Sequence, residues 1–280
     1  MVMRTALFLL STMISAVAII GCTQKKGSES KSYAKEYKDT VLQSKYNTIV
    51  MGRFVENDTT IFLKEYDKED GKLYLNTVIY VEPDKNSIHY NNIAQPIFTP
   101  SYHPEQGQYD LDAWRRYRHE KQMPPLSKVD LLDLPTDWIP LHSYQKYYYV
   151  FTPCEVDKPF RRCLTDSTLA YYCMEFYFNA IQKFEKKSKS LYYIELEAQE
   201  EESRPESTQI YIHIIDSQKK VAVWETRKEN KSKYELMIPI EAAKDFDMIV
   251  CYCPIHKFFD ENIFKFDEID FKTLLKQKKL

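Results

Sequence analysis

Glycine is scarce in this chain of 280 residues. Only five glycines occur, and because the last is Gly107, the final 173 residues contain none. Phosphate-binding loops need glycine because a side chain blocks the approach of a phosphate to the backbone, and the nucleophile elbow of α/β-hydrolases needs small residues around a strained turn. The sequence therefore excludes a P-loop enzyme, a dinucleotide-binding domain and a typical α/β-hydrolase.

A strong charge of either sign is also missing. The chain has 39 lysines and arginines against 41 aspartates and glutamates, which gives a formal net charge of −2. Proteins that bind nucleic acid usually present a basic surface to the phosphates, so the near balance argues against nucleic acid as a partner. Hydrophobic residues make up 44% of the chain, which is enough to build the core of a folded domain.

The apolar run near the amino terminus is too short for a stable transmembrane helix. Ala6 to Ile20 are 15 residues without a charge. As a helix they would reach only ~22 Å, whereas the hydrocarbon core of a bilayer is ~30 Å thick. Arg4 precedes the run and small residues follow it, which is the layout of a cleavable export signal.

This export signal ends in Ile19-Ile20-Gly21-Cys22, which resembles the lipobox of bacterial lipoproteins. In that family an aliphatic, a variable and a small residue precede the modified cysteine. The resemblance implies that the thiol of Cys22 receives a diacylglyceryl group, that the chain is cut before Cys22, and that the new amino terminus is acylated. Each buried methylene contributes about 0.8 kcal/mol, so several acyl chains would attach the protein stably to a membrane.

The residues after Cys22 indicate which membrane holds the protein. Lipoproteins retained at the inner membrane commonly have aspartate after the cysteine, and this chain has Thr23, so the resemblance implies the outer membrane. Some surface-exposed lipoproteins carry an acidic run at this place. Lys25 and Lys26 are basic instead, which favours the periplasmic leaflet over the cell surface.

Composition divides the chain into three parts. We expect a signal peptide over residues 1–21, a flexible polar tether over residues 22–32, and a single β-rich domain over residues 33–280. Ten of the 13 prolines lie between residues 83 and 159. Because proline cannot donate to a β-ladder, we expect this middle part, about 83–159, to be irregular and to lack central strands.

One helix interrupts the irregular middle. Leu111 to Lys121 has the spacing of a helix, with Asp110 as its cap and with Trp114, Tyr117 and Arg118 on a shared face. A second short helix, packed outside the fold, is expected near the carboxyl terminus within Phe264 to Leu280.

Alternation of apolar and polar residues indicates strands on both sides of the middle part. The clearest runs are Asn47–Val55, Thr59–Tyr66, Lys72–Val81, Leu191–Ala198, Thr208–Ile215 and Lys233–Ile240. Consecutive alternating strands joined by short polar turns form antiparallel hairpins. We expect a mainly β fold, in which antiparallel meanders form a curved sheet, a barrel or a sandwich, lipocalin-like in outline, with one or two peripheral helices.

Tyrosine is abundant, with 22 copies beside 15 phenylalanines and 3 tryptophans. Runs such as Tyr147-Tyr148-Tyr149 place aromatic rings on both faces of an extended chain. A tyrosine packs its ring while its hydroxyl stays in water, so this composition fits a half-buried sheet. A dedicated stacking platform for a sugar or another planar ligand is the alternative.

Export to an oxidising compartment allows the cysteines to form disulfides. Eight residues separate Cys154 from Cys163, and we expect a disulfide between them. Cys173 is the alternative partner for either of them. Cys251 and Cys253 share a strand face, and along an extended strand they are too far apart to bond comfortably to each other.

A metal site near the carboxyl terminus is the less favoured use of these cysteines. Cys251, Cys253 and His256 could supply three ligands, but zinc needs a fourth ligand and usually a tighter Cys-x-x-Cys turn. Neither is evident in the sequence. The sequence therefore predicts buried structural thiols, with no metal site and no cofactor.

No catalytic constellation stands out in the sequence. Ser143 and Lys146 have the Ser-x-x-Lys spacing of penicillin-binding enzymes, but the companion Ser-Asp-Asn and Lys-Thr-Gly signatures are missing. The six histidines are dispersed, and acidic clusters such as Asp110 with Asp112 lack the pattern of a calcium or glycosidase site. The sequence therefore predicts no catalytic residue.

Three short segments resemble the acceptor pattern for O-glycosylation of some exported bacterial proteins. They are Asp39-Thr40-Val41, Asp58-Thr59-Thr60 and Asp166-Ser167-Thr168. The resemblance implies glycans on Thr40, Thr59 and Ser167. The alternative is structural, because Asp-Thr and Asp-Ser pairs are common at turns, where their side chains bond to the nearby backbone.

The sequence predicts a lipid-anchored envelope protein, and three roles for it remain open. The first is a non-catalytic module that binds a ligand such as a glycan, or a neighbouring envelope protein. The second is a periplasmic or surface enzyme, for example a hydrolase that acts on envelope polymers or glycans. The third is a structural subunit of a larger assembly, with the proline-rich middle as its contact surface.

Overall fold

Long antiparallel strands dominate the computed structural model of this chain. The structure describes residues 40–43, 47–95, 104–154, 161–172, 176–198, 207–254 and 264–277. The strands are β1 (Thr40–Gln43), β2 (Asn47–Glu56), β3 (Thr59–Glu69), β4 (Lys72–Glu82), β5 (Asp137–Tyr144), β6 (Tyr147–Thr152), β7 (Arg161–Leu164), β8 (Thr168–Tyr172), β9 (Phe176–Ser188), β10 (Leu191–Leu196), β11 (Gln209–Asp216), β12 (Val221–Lys228), β13 (Lys231–Pro239) and β14 (Asp247–Tyr252). The helices are α1 (Ile88–Ile93), α2 (Pro104–Glu120) and α3 (Phe271–Gln277), with a 3-10 helix over Ile240–Asp245.

Two-residue turns close four of the hairpins. Their residues are Asn57-Asp58, Asp70-Gly71, Gln145-Lys146 and Glu229-Asn230, and both residues of each turn have positive φ. This is type I′ geometry, whose twist matches that of the flanking strands. The meander expected near the amino terminus is therefore confirmed as β2, β3 and β4.

Eight of the strands close into an antiparallel barrel. Their order is β5-β13-β12-β11-β10-β9-β8-β7, and β7 pairs back with β5 through Asp137 opposite Cys163 and Trp138 opposite Arg162. Closure pairs both edges of the sheet, which removes the open edges that a flat sheet would leave. The expectation of a mainly β fold built from antiparallel meanders is confirmed, and within it the alternative of a barrel.

Apolar side chains from all eight strands fill the inside of the barrel. Trp138 and Trp224 lie at its centre, with no exposed surface and with ring centroids 5.5 Å apart. The side chains around them are Leu164, Leu169, Ile181, Tyr192, Ile194, Leu196, Ile210, Ile212, Ala222 and Met237. An eight-stranded barrel has an interior just wide enough for such side chains to fill it.

Six further strands extend the sheet beyond the barrel. From β5 the order is β6-β14-β4-β3-β2-β1, and the pair β6 and β14 is parallel. This part, which we call the extension, has its own apolar cluster, which includes Phe62, Leu63, Ile79, Tyr149 and Ile249. The chain therefore builds two cores on one continuous sheet.

Strand β5 belongs to both the barrel and the extension, although it lies in the segment expected to lack central strands. Its first residues, Asp137 and Trp138, pair with β7, and Leu141–Tyr144 pair with β6. Pro140 lies between these two groups, where that edge of β5 has no ladder partner, so the missing N–H is tolerated. The expectation of an irregular middle over residues 83–159 is therefore wrong for β5 and β6.

A third apolar cluster covers part of the outside of the barrel. The outward residues Val223, Leu236 and Ile238 pack there with residues of α1, of the 3-10 helix and of α3. Phe271 and Leu274 of α3 are partly buried against this cluster. The helix expected near the carboxyl terminus is therefore present, in a shorter form, and it packs on the outer face of the barrel.

The helix expected over Leu111 to Lys121 is confirmed as α2, but it begins earlier. Its first residue is Pro104, and proline fits the first turn because the N–H there has no helical partner. Asp110 therefore lies inside the helix and does not cap it. The guanidinium of Arg118 lies 5.1 Å from the ring of Trp114, and its Nη2 donates to Oε1 of Glu197 at 3.2 Å, which holds α2 beside the end of β10.

The anchor expected at the amino terminus lies outside the described residues. This applies to Cys22, to the signal peptide over residues 1–21 and to the tether over residues 22–32, so lipidation stays a prediction. Residues 37–280 form one compact unit. Of the helices in the described ranges, none has both the length and the apolar character that crossing a membrane requires.

Candidate functional site

The outer face of β9 to β13 carries two rows of polar and aromatic side chains. The strand registers place one row on five adjacent strands, in the order Glu185, Tyr193, Tyr211, Glu225 and Tyr234. The neighbouring row consists of Lys183, Glu195, Gln209, Arg227 and Ser232. Both rows face outward, because residues at the alternate positions, such as Ile194 and Ile210, fill the interior. We call these ten residues the tyrosine face.

Glu225 is the buried centre of the tyrosine face, with 4% of its surface exposed. Its Oε1 accepts from Nε of Arg227 at 2.7 Å, from Oη of Tyr234 at 3.0 Å and from Oγ of Ser232 at 3.2 Å. Its Oε2 accepts from Nη2 of Arg227 at 3.0 Å and lies 3.3 Å from Nε2 of His213. One carboxylate therefore fixes side chains from three strands.

The ionisation of Glu225 follows from these contacts. Burial by itself raises the pKa of this carboxyl group. The hydrogen bonds from Arg227, Tyr234 and His213, together with the charge of Arg227, outweigh burial and lower the pKa to about 2. Glu225 is therefore ionised at neutral pH and neutralises the charge of Arg227.

The other side chains of the tyrosine face are held in place by their neighbours, and Tyr193 among them is itself buried. The guanidinium carbon of Arg227 lies 4.2 Å from the ring centroid of Tyr211, and that ring lies 5.2 Å from the ring of Tyr193. Oη of Tyr193 donates to Oε2 of Glu195 at 3.1 Å, and burial followed by this bond raises the pKa of Tyr193 to about 12. The ring of Tyr234 stacks on Phe271 of α3 at 5.7 Å. The face is therefore preorganised, which lowers the entropy lost when a partner binds.

The chemistry of the face suits binding better than proton transfer. A general acid or base works best when its pKa lies near the operating pH, and the pKa of Glu225 lies far below it. Tyrosine and arginine are enriched at protein interfaces, where they form many of the energetically dominant contacts. An ordered set of tyrosines beside a fixed arginine therefore has the residue types that are common at protein interfaces.

Among the described residues, Arg162 and Glu235 form an ion pair in the barrel interior. Arg162 of β7 donates to Glu235 of β13, and its guanidinium carbon lies 4.8 Å from the ring of Trp224. Burial raises the pKa of Glu235, but the charges of Arg162 and Lys233 outweigh it, so the pKa is lowered. Nη1 of Arg162 and Nε1 of Trp224 find no acceptor among the described residues. The pair links the two barrel strands that flank β5.

The disulfide expected between Cys154 and Cys163 is wrong. Cys154 is bonded to Cys253, with the two Cα atoms 5.7 Å apart, and Cys163 is a buried thiol on β7. Cys154 follows β6 and Cys253 follows β14, and these strands are parallel neighbours, so their ends meet although the two cysteines are 99 residues apart in sequence. Burial raises the pKa of the Cys163 thiol well above its ordinary value. Cys173 lies outside the described residues.

A third cysteine lies against this disulfide. Sγ of Cys251 is 3.1 Å from Sγ of Cys154, and the three sulfur atoms of Cys154, Cys251 and Cys253 lie within 4.8 Å of one another. Three thiolates at this spacing are a donor set for soft cations such as Zn²⁺, whereas here two of the sulfurs are joined. His256 lies outside the described residues. Sequence reasoning found the shared face of Cys251 and Cys253 but missed Cys154 as its third member.

The three expected glycosylation sites differ in exposure. Thr59 follows the Asn57-Asp58 turn and is partly exposed, so a glycan there stays a prediction. Ser167 is 4% exposed and its Oγ donates to Oδ1 of Asp166 at 3.0 Å, so burial of this hydroxyl in the fold argues against the glycan expected there. The turn folds this hydroxyl inward. Thr40 begins β1, and its side chain lies outside the described part of the structure.

Comparison of the chain with protein-family models, with curated proteins and with solved structures gives no match. The candidate site therefore depends on the geometry of this chain's own residues. The sequence signal that could have found the tyrosine face is the alternation in β11 and β12. There, Tyr211, His213, Glu225 and Arg227 occupy every second position between residues that fill the barrel.

Proposed function

We propose that this protein is a lipid-anchored component of the bacterial outer membrane, on its periplasmic side, that serves as a non-catalytic binding module for another envelope protein. The lipobox resemblance at Cys22 supports the anchor and the address. The observation that supports binding is the preorganised tyrosine face around Glu225 and Arg227.

The position of the face supports a protein partner over a small ligand. Small-molecule sites are concave and mostly enclosed, whereas this face lies on the outside of a barrel. The barrel interior is occupied by Trp138, Trp224 and the apolar side chains around them. Charges of both signs, such as Lys183 and Glu185, alternate with the tyrosines, and such patterns give protein interfaces their specificity.

The alternative of a hydrolase acting on envelope glycans receives less support from this face. Glycoside hydrolysis needs a carboxylic acid whose pKa is raised so that it keeps its proton. Hydrogen bonds from Lys183 and Lys187 lower the pKa of Glu185, and the contacts described above lower that of Glu225. Both carboxylates are therefore suited to holding neighbours in place.

Site-specific photo-crosslinking in intact envelopes tests the proposal. A photoreactive amino acid replaces Gln209, which lies in the centre of the tyrosine face. The control position is Tyr147 of the extension, whose surface is 62% exposed. We expect a discrete protein adduct from position 209 and none from position 147, measured by immunoblot and identified by mass spectrometry.

The same experiment with variants tests the residues. Tyr211→Ala and Arg227→Ala should each lower the adduct yield at least about tenfold, because central tyrosine and arginine contacts dominate interface energies. Tyr147→Ala should leave the yield unchanged. Unchanged yields with both face variants, or an adduct whose added mass a glycosidase removes, would disprove the assignment of a protein partner.

A further inference from the structure

Two buried N–H donors of the barrel interior have no hydrogen-bond acceptor among the described residues. They are Nη1 of Arg162 and Nε1 of Trp224. Arg162 is almost completely buried, and Trp224 has no exposed surface. Buried donors are nearly always paired in folded proteins, because an unpaired donor loses its hydrogen bonds to water without replacement. The two nitrogens therefore indicate a position that holds a small molecule or ion able to accept hydrogen bonds.

The two donors belong to side chains that contact each other. The guanidinium carbon of Arg162 lies 4.8 Å from the ring centroid of Trp224 and 5.4 Å from that of Tyr171. Nη2 of the same guanidinium donates to Oε2 of Glu235, which fixes its orientation. One small acceptor beside this stack can therefore receive hydrogen bonds from both side chains.

The charge at this position favours an anion. Arg162 and Lys233 both form ion pairs with Glu235, so two positive charges share one negative charge and one positive charge is left over. Neither the guanidinium nor the indole N–H accepts a hydrogen bond, which excludes a cation as the bound group. A water molecule would satisfy the two donors but not the charge, whereas a monovalent anion satisfies both.

The same ion pairs lead from the interior to the end of the barrel. Side-chain exposure rises from 6% at Arg162 to 24% at Glu235 and 75% at Lys233. Lys233 is the third residue of β13 and lies close to the turn that joins β12 to β13. A small ion can therefore enter along charged side chains. Apolar side chains fill the rest of the interior, which leaves no room for a larger ligand.

We propose that the barrel interior binds a small monovalent anion of the size of chloride, which accepts hydrogen bonds from Nη1 of Arg162 and Nε1 of Trp224. These donors belong to β7 and β12, which are not neighbours in the barrel. The ion therefore joins two strands across the interior and stabilises the closed barrel. This site lies inside the barrel, so it does not depend on the partner proposed for the tyrosine face.

Urea denaturation of the full chain in two salts tests the proposal. Sodium chloride is compared with sodium gluconate at the same ionic strength, because gluconate has the same charge but is too large for the interior. An ion that binds only the folded state stabilises it in proportion to the occupancy of the site. We expect the urea midpoint, measured by circular dichroism, to rise with chloride concentration and to stay lower in gluconate. Equal midpoints in the two salts would refute the anion site.

Two matched tryptophan variants test the donor. Trp224→Phe keeps an aromatic ring but removes Nε1, so about tenfold more chloride should be needed for the same rise of the midpoint, the loss expected for one hydrogen bond to a charged group. Trp138→Phe is the control, because Nε1 of Trp138 donates to the carbonyl of Pro135 at 2.7 Å. It should lower the midpoint in both salts and keep the response to chloride. An unchanged chloride response in Trp224→Phe would contradict the assignment.

A crystal of the unaltered protein gives a result that does not depend on variants. Bromide replaces chloride in the crystallisation solution, and its anomalous scattering distinguishes it from water. We expect an anomalous peak within hydrogen-bond distance of Nη1 of Arg162 and Nε1 of Trp224. Density at this place without an anomalous signal would identify a water molecule, and either this result or the absence of density would overturn the proposal.

Discussion

At the scale of single residues, Glu225 shows how one buried carboxylate organises a surface. Burying a charge is costly unless it is paired and hydrogen-bonded, and both oxygens of Glu225 accept hydrogen bonds. The same bonds fix Arg227 over Tyr211 and Tyr234 beside α3. Removal of the carboxylate would leave Arg227 without the hydrogen bonds that hold it in place. Glu225 therefore shapes the face although it is itself almost completely buried.

The ionisation of Glu225 predicts an acid-sensitive contribution to stability. Its pKa of about 2 in the folded protein lies below the ordinary value of 4.5, so its contribution is complete above about pH 4.5 and is lost as the pH falls towards 2. Glu225→Gln should lower the free energy of unfolding by about 1–3 kcal/mol at neutral pH. The difference from the wild type should narrow as the pH falls from about 5 to 3, measured by urea denaturation.

The matched control is Glu185→Gln, since Glu185 lies in the same row but faces solvent more openly. It should leave the free energy of unfolding almost unchanged, because exposed ion pairs contribute little to stability. A deficit of Glu225→Gln that stays constant over the whole pH range would show that the residue acts through packing and not through its charge.

At the scale of elements, the sequence predicts those strands whose pattern is local. β2, β3, β4, β10, β11 and β13 alternate clearly in the sequence, so their existence follows from spacing alone. The strand β5 does not follow from local spacing. Pro140 indicates an irregular segment as long as it is not known that β5 changes its pairing partner from β7 to β6. The bond between Cys154 and Cys253 depends on the pairing of β6 with β14, which local spacing cannot reveal.

The contacts within the tyrosine face are also only partly predictable from the sequence. The excess of tyrosine and the alternation in β10, β11 and β13 are visible in the sequence, so an aromatic sheet face could be predicted. The contact of Glu225 with Tyr234 depends on the register between β12 and β13. The closeness of Tyr211 to Arg227 depends on the register between β11 and β12. Register is set by the turns and by burial of the whole barrel, so these contacts required the structure.

The segment before α3 lies over strand β5 and partly buries His142 of that strand. The ring of Phe266 stacks on His142 at 4.3 Å and meets Phe151 edge-on at 5.0 Å, while the backbone N–H of Asp267 donates to the carbonyl of Ser143 at 2.7 Å. Burial among these rings lowers the pKa of His142 to about 4. The segment therefore covers β5 with a neutral imidazole beneath it.

Replacement of this histidine should remove an acid-dependent loss of stability. In the unfolded chain His142 takes up its proton near pH 6.5, whereas in the folded protein it does so only near 4, so stability falls as the pH drops between these values. His142→Phe keeps the aromatic packing and should remove a decline of up to about 3 kcal/mol, measured by urea denaturation at several pH values. His119→Gln, on the exposed side of α2, should keep the decline. Equal pH slopes in the wild type and His142→Phe would contradict the assignment.

At the scale of the whole described fold, the barrel and the extension share one continuous sheet through β5. The barrel would lose its closing strand if β5 left it, and the extension would lose the strand that pairs with β6. The only disulfide within the described residues joins the ends of β6 and β14 in the extension, while the two central tryptophans lie in the barrel. The tryptophans can therefore report on the barrel while the disulfide lies in the extension.

This shared strand predicts that both parts unfold together. The three tryptophans, Trp114, Trp138 and Trp224, lie in α2 and the barrel, so their fluorescence reports the barrel, whereas hydrogen exchange of β3 reports the extension. The two probes should give the same urea midpoint. Reduction of the bond between Cys154 and Cys253, which are 99 residues apart, should lower the stability measured by both probes by about 2–5 kcal/mol. If the protection of β3 against hydrogen exchange falls while the tryptophan transition stays unchanged, the extension opens independently of the barrel. In that case β5 remains in the barrel and only its pairing with β6 is lost.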